Sequence, residues 1–209
     1  CAGSGIGKST VTKEIAYHLL QRNQTVGVIA LEESVRESIR SILGIAISKK
    51  LNDEDVRKEI KPKDIQKAYD DFNTRLYFYD HFGSLNGNDI LSNIRYLAVA
   101  CKCKYIILDH ITIVLSGLDG DDRKNLDVTV TKLRSLCQEL NIAIIMVSHL
   151  KRLEGNRDHV DGVQISLGHL RGSGSIAHLS NLCIGLERNQ QGDNPNEMVV
   201  RILKNRFNG

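Results

Sequence analysis

A glycine-rich stretch near the start of the chain has the composition of a phosphate-binding loop. The segment Ala2-Gly3-Ser4-Gly5-Ile6-Gly7-Lys8-Ser9-Thr10 fits the pattern G-x-x-x-x-G-K-[ST], with Ala2 where the first glycine usually stands. Glycines let the backbone curl so that its N–H groups point at phosphate oxygens, and the helix that follows adds its positive dipole end. Lys8 would reach the β- and γ-phosphates, and the Ser9 hydroxyl would bind Mg²⁺. We expect a nucleoside triphosphate site at Gly3, Ser4, Gly5, Gly7, Lys8, Ser9 and Thr10.

Carboxylates follow two apolar segments that have the composition of buried strands. Asp109 comes directly after residues 105–108, the place of a Walker B acid, and we expect it to hold Mg²⁺ through water. Many phosphate-loop ATPases have a glutamate after this aspartate, whereas this chain has His110. The general base must then follow another strand, and Glu32 is the best placed, with Glu33 as the alternative. A capping carboxylate at Asp109 and a solvated one at Glu32 are the plainer interpretations.

A Ser148-His149 pair follows the strand predicted at residues 142–147. An imidazole at this place could hydrogen-bond the γ-phosphate and report its loss to the loop behind it. A single histidine can equally be structural, and its spacing alone leaves that alternative open.

The loop behind His149 is basic and rich in glycine and polar residues. Its cations are Lys151, Arg152, Arg157 and Arg171. Cations and exposed backbone N–H groups can hold a phosphodiester backbone without reading its sequence. Aromatic residues are absent from 150–174, so base stacking is not the expected mode. The alternative is a solvated basic loop without a ligand.

A second pair of cations lies near the end of the chain. Lys204 and Arg206 are two residues apart at the end of a predicted strand, so their side chains should project to the same side. Directed outward, they could complete the nucleotide site of a neighbouring subunit, as an arginine finger does. An ordinary exposed strand end is the alternative.

Alternating helical and strand patterns position these side chains. Helical spacing of apolar residues is found at 9–22, 35–43, 53–72, 88–101 and 126–140, with Pro62 as a break or start. Apolar strand segments are found at 26–31, 76–79, 105–108 and 142–147, and segments 182–186 and 198–203 predict an antiparallel hairpin. This order predicts an α/β fold, a mostly parallel sheet covered by helices on both faces, with ligands at the carboxyl edge of the strands.

Composition excludes several classes of protein. The 209 residues suffice for one α/β domain, and 41% hydrophobic and 25% charged residues are ordinary values for a globular protein. The net charge of +3 is too small for a wholly basic surface. Five scattered cysteines without a signal peptide indicate reduced thiols in a cytosol-like compartment, and no apolar run is long enough to span a membrane. Since a phosphate loop normally follows a buried strand, we expect a fragment that is truncated at both ends.

Together these segments resemble a known family. AGSGIGKST, LEES, YIILDHITIV, MVSHLK, HLRGSGSIAHLS, LERNQQGDNPN and RILKNRF are similar to the helicase domain of the primase-helicases of short-tailed bacteriophages. These belong to the DnaB-like hexameric replicative helicases, which also include the mitochondrial helicase Twinkle. The similarity runs over nearly the whole chain and implies one RecA-like phosphate-loop NTPase domain over residues 1–209.

The resemblance implies a hexameric ring that moves 5′ to 3′ along single-stranded DNA and hydrolyses ATP or dTTP with Mg²⁺ at subunit interfaces. It also implies an attached primase domain, a replicative DNA polymerase as partner, no membrane, and a cytoplasmic location, in the host cell if a phage encodes the protein. By position, it makes Glu32 the base, Asp109 the Walker B acid and His149 the γ-phosphate sensor. Further positions implied are Arg188 for nucleotide, Lys151, Arg157, Arg171 and Gly172 for DNA, and Lys204 and Arg206 for the neighbour's nucleotide.

Two positions depart from the family pattern. His178 stands where a glutamine commonly links nucleotide to DNA, and Gly155 replaces a basic residue of the DNA loop. The first change weakens the expected coupling and the second the DNA grip. Cys1 before the phosphate loop would also suit a protein-splicing junction. The competing interpretations are a strand-exchange recombinase of the same fold and a non-catalytic nucleotide- or DNA-binding fragment.

Overall fold

The apolar segments predicted as strands form a parallel sheet. The computed structural model describes residues 1–3, 5–81, 87–111, 122–151, 159, 161–170 and 174–208. The strands are β1 (Val26–Ala30), β2 (Leu76–Tyr79), β3 (Tyr105–Asp109) and β4 (Ala143–Met146). They pair in the order β2-β1-β3-β4, and every pairing is parallel. Their carboxyl ends therefore meet at one edge, which Glu32, Asp109 and His149 follow, as the sequence predicts.

Helices cover both faces of this sheet. They are α1 (Lys8–Gln21), α2 (Val35–Ile47), α3 (Glu54–Glu59), α4 (Pro62–Asp70), α5 (Gly87–Val99), α6 (Asp122–Leu140) and α7 (Gly174–Leu179). The helical pattern over 53–72 forms two helices, α3 and α4, with Pro62 as the start of the second, as predicted. Pro62 lacks a backbone N–H, which is tolerated at the first position of a helix. Ser34 begins α2 with a capping box to Glu37. Within the described residues, no helix is long and apolar enough to cross a membrane.

Alternation along the strands divides the core between the two faces. Val26 and Val28 of β1 point to the side of α1, α2 and α4, whereas Ile29 points to the side of α5 and α6. Ile107 and Ile106 of β3 divide in the same way. Both faces are thus buried, which explains why these strands are continuous apolar runs rather than alternating ones. The prediction of an α/β sheet covered on both faces is confirmed.

The predicted hairpin forms a second, antiparallel sheet of β5 (Leu182–Glu187) and β6 (Val199–Asn205). Residues 1 and 2 connect it to the parallel sheet. Ala2 forms a parallel bridge with His149, and the Cys1 carbonyl accepts a hydrogen bond of 2.9 Å from the Leu186 N–H. The root of the phosphate loop is therefore fixed on one side to the end of β4 and on the other side to β5.

Candidate nucleotide site

The phosphate loop has the backbone that its glycines predict. Gly5 and Gly7 have φ of 70° and 105°, a conformation that residues with a side chain rarely adopt, and Gly7 is the N-cap of α1. The Lys8 ammonium donates to the carbonyl oxygens of Ala2 at 3.2 Å and Gly3 at 2.7 Å. Burial lowers the pKa of Lys8, while Asp109 and Glu32 act in the opposite direction. Ser4 lies outside the described residues.

Asp109 and Ser9 meet beside this loop. Asp109 ends β3 and is buried, and the Ser9 hydroxyl at the start of α1 lies near enough to its carboxylate to favour the ionised form. Burial raises the pKa of Asp109, and the nearby Ser9 hydroxyl opposes that rise. Two oxygen donors next to a phosphate loop suit Mg²⁺, which prefers oxygen ligands. The donor set therefore fits the ion that the sequence predicts there.

The two glutamates after β1 have different surroundings. Glu33 accepts from the Lys13 ammonium at 2.6 Å and from the Ser38 hydroxyl, so it joins α1 to α2. Glu32 instead places its Oε1 2.7 Å from His110 Nε2, and 53% of its side chain is exposed. Glu33 is thus engaged in holding helices together, and Glu32 remains our prediction for the general base.

A pair of histidines lies between Glu32 and Lys8. The rings of His110 and His149 are perpendicular with centroids 4.1 Å apart, and Lys8 Nζ lies 3.2 Å from His149 Nδ1. A protonated lysine can only donate, so Nδ1 accepts and a neutral His149 carries its proton on Nε2. Ligand atoms of Glu32, His110 and His149 all lie within 4.8 Å of one another, close enough to hold a metal ion.

His110 is a site residue that its sequence pattern does not predict. The pattern marks this position only as one that lacks the usual glutamate, whereas the side chain belongs to the cluster with Glu32 and His149. The signal was its place directly after Asp109. The Leu31 N–H donates to the Asp109 carbonyl at 2.8 Å, which extends the β1–β3 pairing by one step and brings the residues after both strands together.

Comparison with known proteins identifies the family. The model of the DnaB-like helicase C-terminal domain matches residues 1–209. This chain belongs to that family. It is 36% identical over 214 residues to the DNA helicase/primase of Enterobacteria phage T3, covering 100% of this chain and 38% of the relative. It is 27% identical over 211 residues to a probable plasmid replicative DNA helicase of Chlamydia trachomatis, covering 98% and 45%.

Solved structures agree with the fold. A DnaB-like replicative helicase, solved in a study of its interactions with primase, superposes with a TM-score of 0.82 at 19% identity over 99% of this chain and 52% of that chain. A separate ATPase domain matches with a TM-score of 0.79 at 17% identity over 99% and 75%. The RecA-like fold prediction is confirmed. The chain spans less than half the length of the curated relatives named here.

The cations of the hairpin are engaged within this helicase-family chain. The Lys204 ammonium donates to the carbonyls of Ala177 at 2.7 Å and His178 at 2.9 Å, at the end of α7. Arg206 follows β6 and is exposed, and its backbone N–H donates to the Asn181 carbonyl at 2.8 Å. Lys204 is therefore directed at its own chain rather than outward, and the action of both residues on a neighbour's nucleotide stays a prediction.

Arg188 holds the connection between β5 and β6. Its guanidinium donates to the Pro195 carbonyl and, at 3.3 Å, to the Asn196 side chain. Gln190 of this segment reaches the phosphate loop, where its amide donates to the Gly5 carbonyl at 3.1 Å. Sequence reasoning missed that contact, and nucleotide binding by Arg188 stays a prediction.

The predicted DNA-binding residues are partly described. Arg157, Arg171 and Gly172 lie outside the described residues. Lys151 is exposed, and its N–H donates to the His169 carbonyl at 2.8 Å. His178, the predicted coupling residue, lies exposed near the end of α7. Nothing in these contacts assigns a DNA role, so the four DNA positions and His178 stay predictions.

Proposed function

We propose that this chain is the NTP-hydrolysing motor of a replicative DNA helicase, which couples hydrolysis to 5′ to 3′ movement along single-stranded DNA and to unwinding of the duplex at the fork. The observation that supports it is the convergence of Lys8, Ser9, Asp109, Glu32 and His149 at one sheet edge, in a chain that matches the DnaB-like helicase domain from end to end. The family match favours this function over a strand-exchange recombinase.

The residues at the sheet edge divide the chemistry among them. The phosphate loop holds the triphosphate through its backbone N–H groups, and Lys8 leaves the carbonyls of Ala2 and Gly3 for phosphate oxygens. Glu32 accepts the proton of the attacking water. His149 donates from Nε2 to the γ-phosphate and loses that bond when phosphate leaves. Ser9 and Asp109 would hold Mg²⁺, which would supply positive charge against the phosphate oxygens.

The proposal extends to partners of the whole protein. Six copies form a ring, with Arg206 and Lys204 completing the site of the next subunit. Single-stranded DNA contacts Lys151, Arg157, Arg171 and Gly172, and His178 relays its position. A primase domain and a replicative DNA polymerase are the expected partners, in the cytoplasm of the cell, or of the host cell if a phage encodes the protein. The relative from phage T3 is itself named a helicase/primase. ATP and dTTP are the candidate substrates.

The test uses the longer protein that contains this chain. Hydrolysis of ATP and of dTTP is measured with and without single-stranded DNA, together with unwinding of a forked duplex, for the wild type, Lys8→Ala and Arg206→Ala. We expect single-stranded DNA to stimulate hydrolysis by the wild type and the wild type to unwind the forked duplex. Each variant by itself should neither hydrolyse nucleotide nor unwind the duplex. Mixed Lys8→Ala and Arg206→Ala subunits should recover part of the hydrolysis, because each can complete the other's site. Nucleotide binding without DNA stimulation or unwinding would overturn the proposal.

A further inference from the structure

His110 is a buried side chain in contact with the proposed base. Its ring is 6% exposed, whereas the Glu32 side chain beside it is 53% exposed, and Nε2 and Oε1 are 2.7 Å apart. His110 Nε2 and Glu32 Oε1 are close enough for an ion pair, but their orientation does not meet the angle of a hydrogen bond. Such contacts are often poorly aligned before substrate binds and tighten when it does.

The backbone on either side of His110 is held by hydrogen bonds, and the His110 ring contacts a second histidine. Its backbone lies between two inter-strand hydrogen bonds, Leu31 N–H to the Asp109 carbonyl at 2.8 Å and Ile111 N–H to the Val147 carbonyl at 3.1 Å. Its ring meets that of His149 edge to face at 4.1 Å. His110 thus lies between the residues that follow β1 and those that follow β4, held by its neighbours' backbone and by the His149 ring.

The Glu32 side chain, in contrast, is half exposed and free to adopt several rotamers. A half-exposed glutamate has several free torsions, and holding it in one rotamer costs up to about 2 kcal/mol of side-chain entropy. A base that activates water must nevertheless stay in one place, since a displacement of about 1 Å can cost about 100-fold in rate. Among the described residues, His110 is the buried polar side chain that contacts it.

We propose that His110 is a positioning residue. It holds the Glu32 carboxylate toward the attacking water and at a fixed position relative to the His149 ring. The inference rests on the proposed function, because it takes Glu32 as the base. It gives a role to the position where many phosphate-loop ATPases have the base itself. In this chain the base comes from β1, and the residue after Asp109 directs it.

The experiment compares two amides at position 110 in the full protein, with kcat and KM for DNA-stimulated hydrolysis measured separately. The glutamine amide nitrogen reaches about as far as His Nε2, while that of asparagine reaches about as far as Nδ1. We expect His110→Ala and His110→Asn to lower kcat about 10- to 100-fold with KM changed less than about threefold. His110→Gln should recover most of the loss. The exposed His18→Ala is the matched control and should behave as wild type.

A double-mutant cycle separates positioning from folding. Glu32→Gln should lower kcat by about 100-fold or more, and His110→Ala added to it should lower kcat little further, because His110 acts through Glu32. If the fold losses in kcat of Glu32→Gln and His110→Ala multiply in the double variant, the inference is overturned. Equal losses in His110→Gln and His110→Asn, or a wild-type kcat in His110→Ala, would also overturn it. Nucleotide affinity and thermal unfolding of each variant show that the site is folded.

Failure of this inference differs from failure of the proposed function. If Glu32→Gln retains full hydrolysis, the assignment of the base fails and the role of His110 falls with it. If Glu32→Gln is inactive while His110→Ala is as active as wild type, the proposed function stands and the positioning role is rejected.

Discussion

Charged groups at the edge of the parallel sheet and those on the β5–β6 hairpin are treated in opposite ways. At the sheet edge, burial lowers the pKa of Lys8 and raises that of Asp109, so it destabilises the charged form of both side chains. On the hairpin, the guanidinium of Arg201 lowers the pKa of Glu187, and the fold favours that charge. Charged side chains at the sheet edge are thus poorly compensated and available to a ligand, whereas those on the hairpin form an ion pair that stabilises the fold.

Contacts explain this difference. Glu187 is 8% exposed and accepts two hydrogen bonds from Arg201, at 2.7 and 3.0 Å, and one from the Ile165 N–H at 2.7 Å. Its lone pairs are well used, which stabilises the ionised form. Lys8 donates to neutral carbonyls and to an imidazole, weak compensation for a buried ammonium. Mutations in the two regions should therefore separate activity from stability.

The largest expected effect is on activity alone. Lys8→Ala should abolish detectable NTP hydrolysis, because the phosphates lose their mobile cation. The free energy of unfolding without nucleotide should change by less than about 1 kcal/mol, because the removed charge is one that burial disfavours. Urea unfolding and steady-state hydrolysis measure the two effects, with the exposed Lys58→Ala as control. A large loss of stability would break the distinction between the regions.

The next effect is on stability alone. Arg201→Ala should lower the free energy of unfolding by about 1–3 kcal/mol, because it leaves the buried Glu187 carboxylate without its cation. Arg95→Ala is the matched control, since its partner Glu139 is half exposed, and about 0–1 kcal/mol is expected there. Nucleotide affinity of the folded protein should be unchanged in both variants. Equal decreases in the free energy of unfolding for Arg201→Ala and Arg95→Ala would show that burial of Glu187 does not strengthen its ion pair.

Acid should remove the effect of Arg201. The folded pKa of Glu187 is lowered from 4.5, so the ion pair contributes stability above that value and loses it as pH falls through the folded pKa. The difference in unfolding free energy between wild type and Arg201→Ala should be full at neutral pH and shrink below about pH 4.5. Urea unfolding across this range measures it. A difference that stays constant in acid would contradict the assignment.

The smallest effect concerns Lys204. Lys204→Met keeps the apolar stem but removes the donor to the last carbonyls of α7, which should cost about 0.3–1 kcal/mol. Faster amide hydrogen exchange within α7 (Gly174–Leu179) is the local measurement, and Lys204→Arg should preserve protection. Unchanged exchange in Lys204→Met would mean that the ammonium does not cap α7, and would return this cation to a purely intersubunit role.

The order of strands and helices was predictable because buried parallel strands are continuous apolar runs and their carboxyl ends share an edge. That rule placed Glu32, Asp109 and His149 near the phosphate loop without any knowledge of contacts. The partner of Glu32 was not predictable in this way, since His110 reaches it through the β1–β3 register, and registers depend on pairs of distant residues. The contact of Lys204 with the carbonyls of Ala177 and His178 was not predictable either, because no local pattern reveals that α7 lies beside β6.

Gly3 of the phosphate loop lies close to His159. A Cβ at this position would lie 3.0 Å from the Cβ of His159, closer than such atoms normally approach. His159 is buried, and its ring nitrogen Nε2 lies 3.2 Å from the Lys151 carbonyl. Gly3 thus lies so close to His159 that only a residue without a Cβ fits between the phosphate loop and His159. A side chain at position 3 would therefore have to displace His159, and with it the contact that His159 makes with the Lys151 carbonyl after His149.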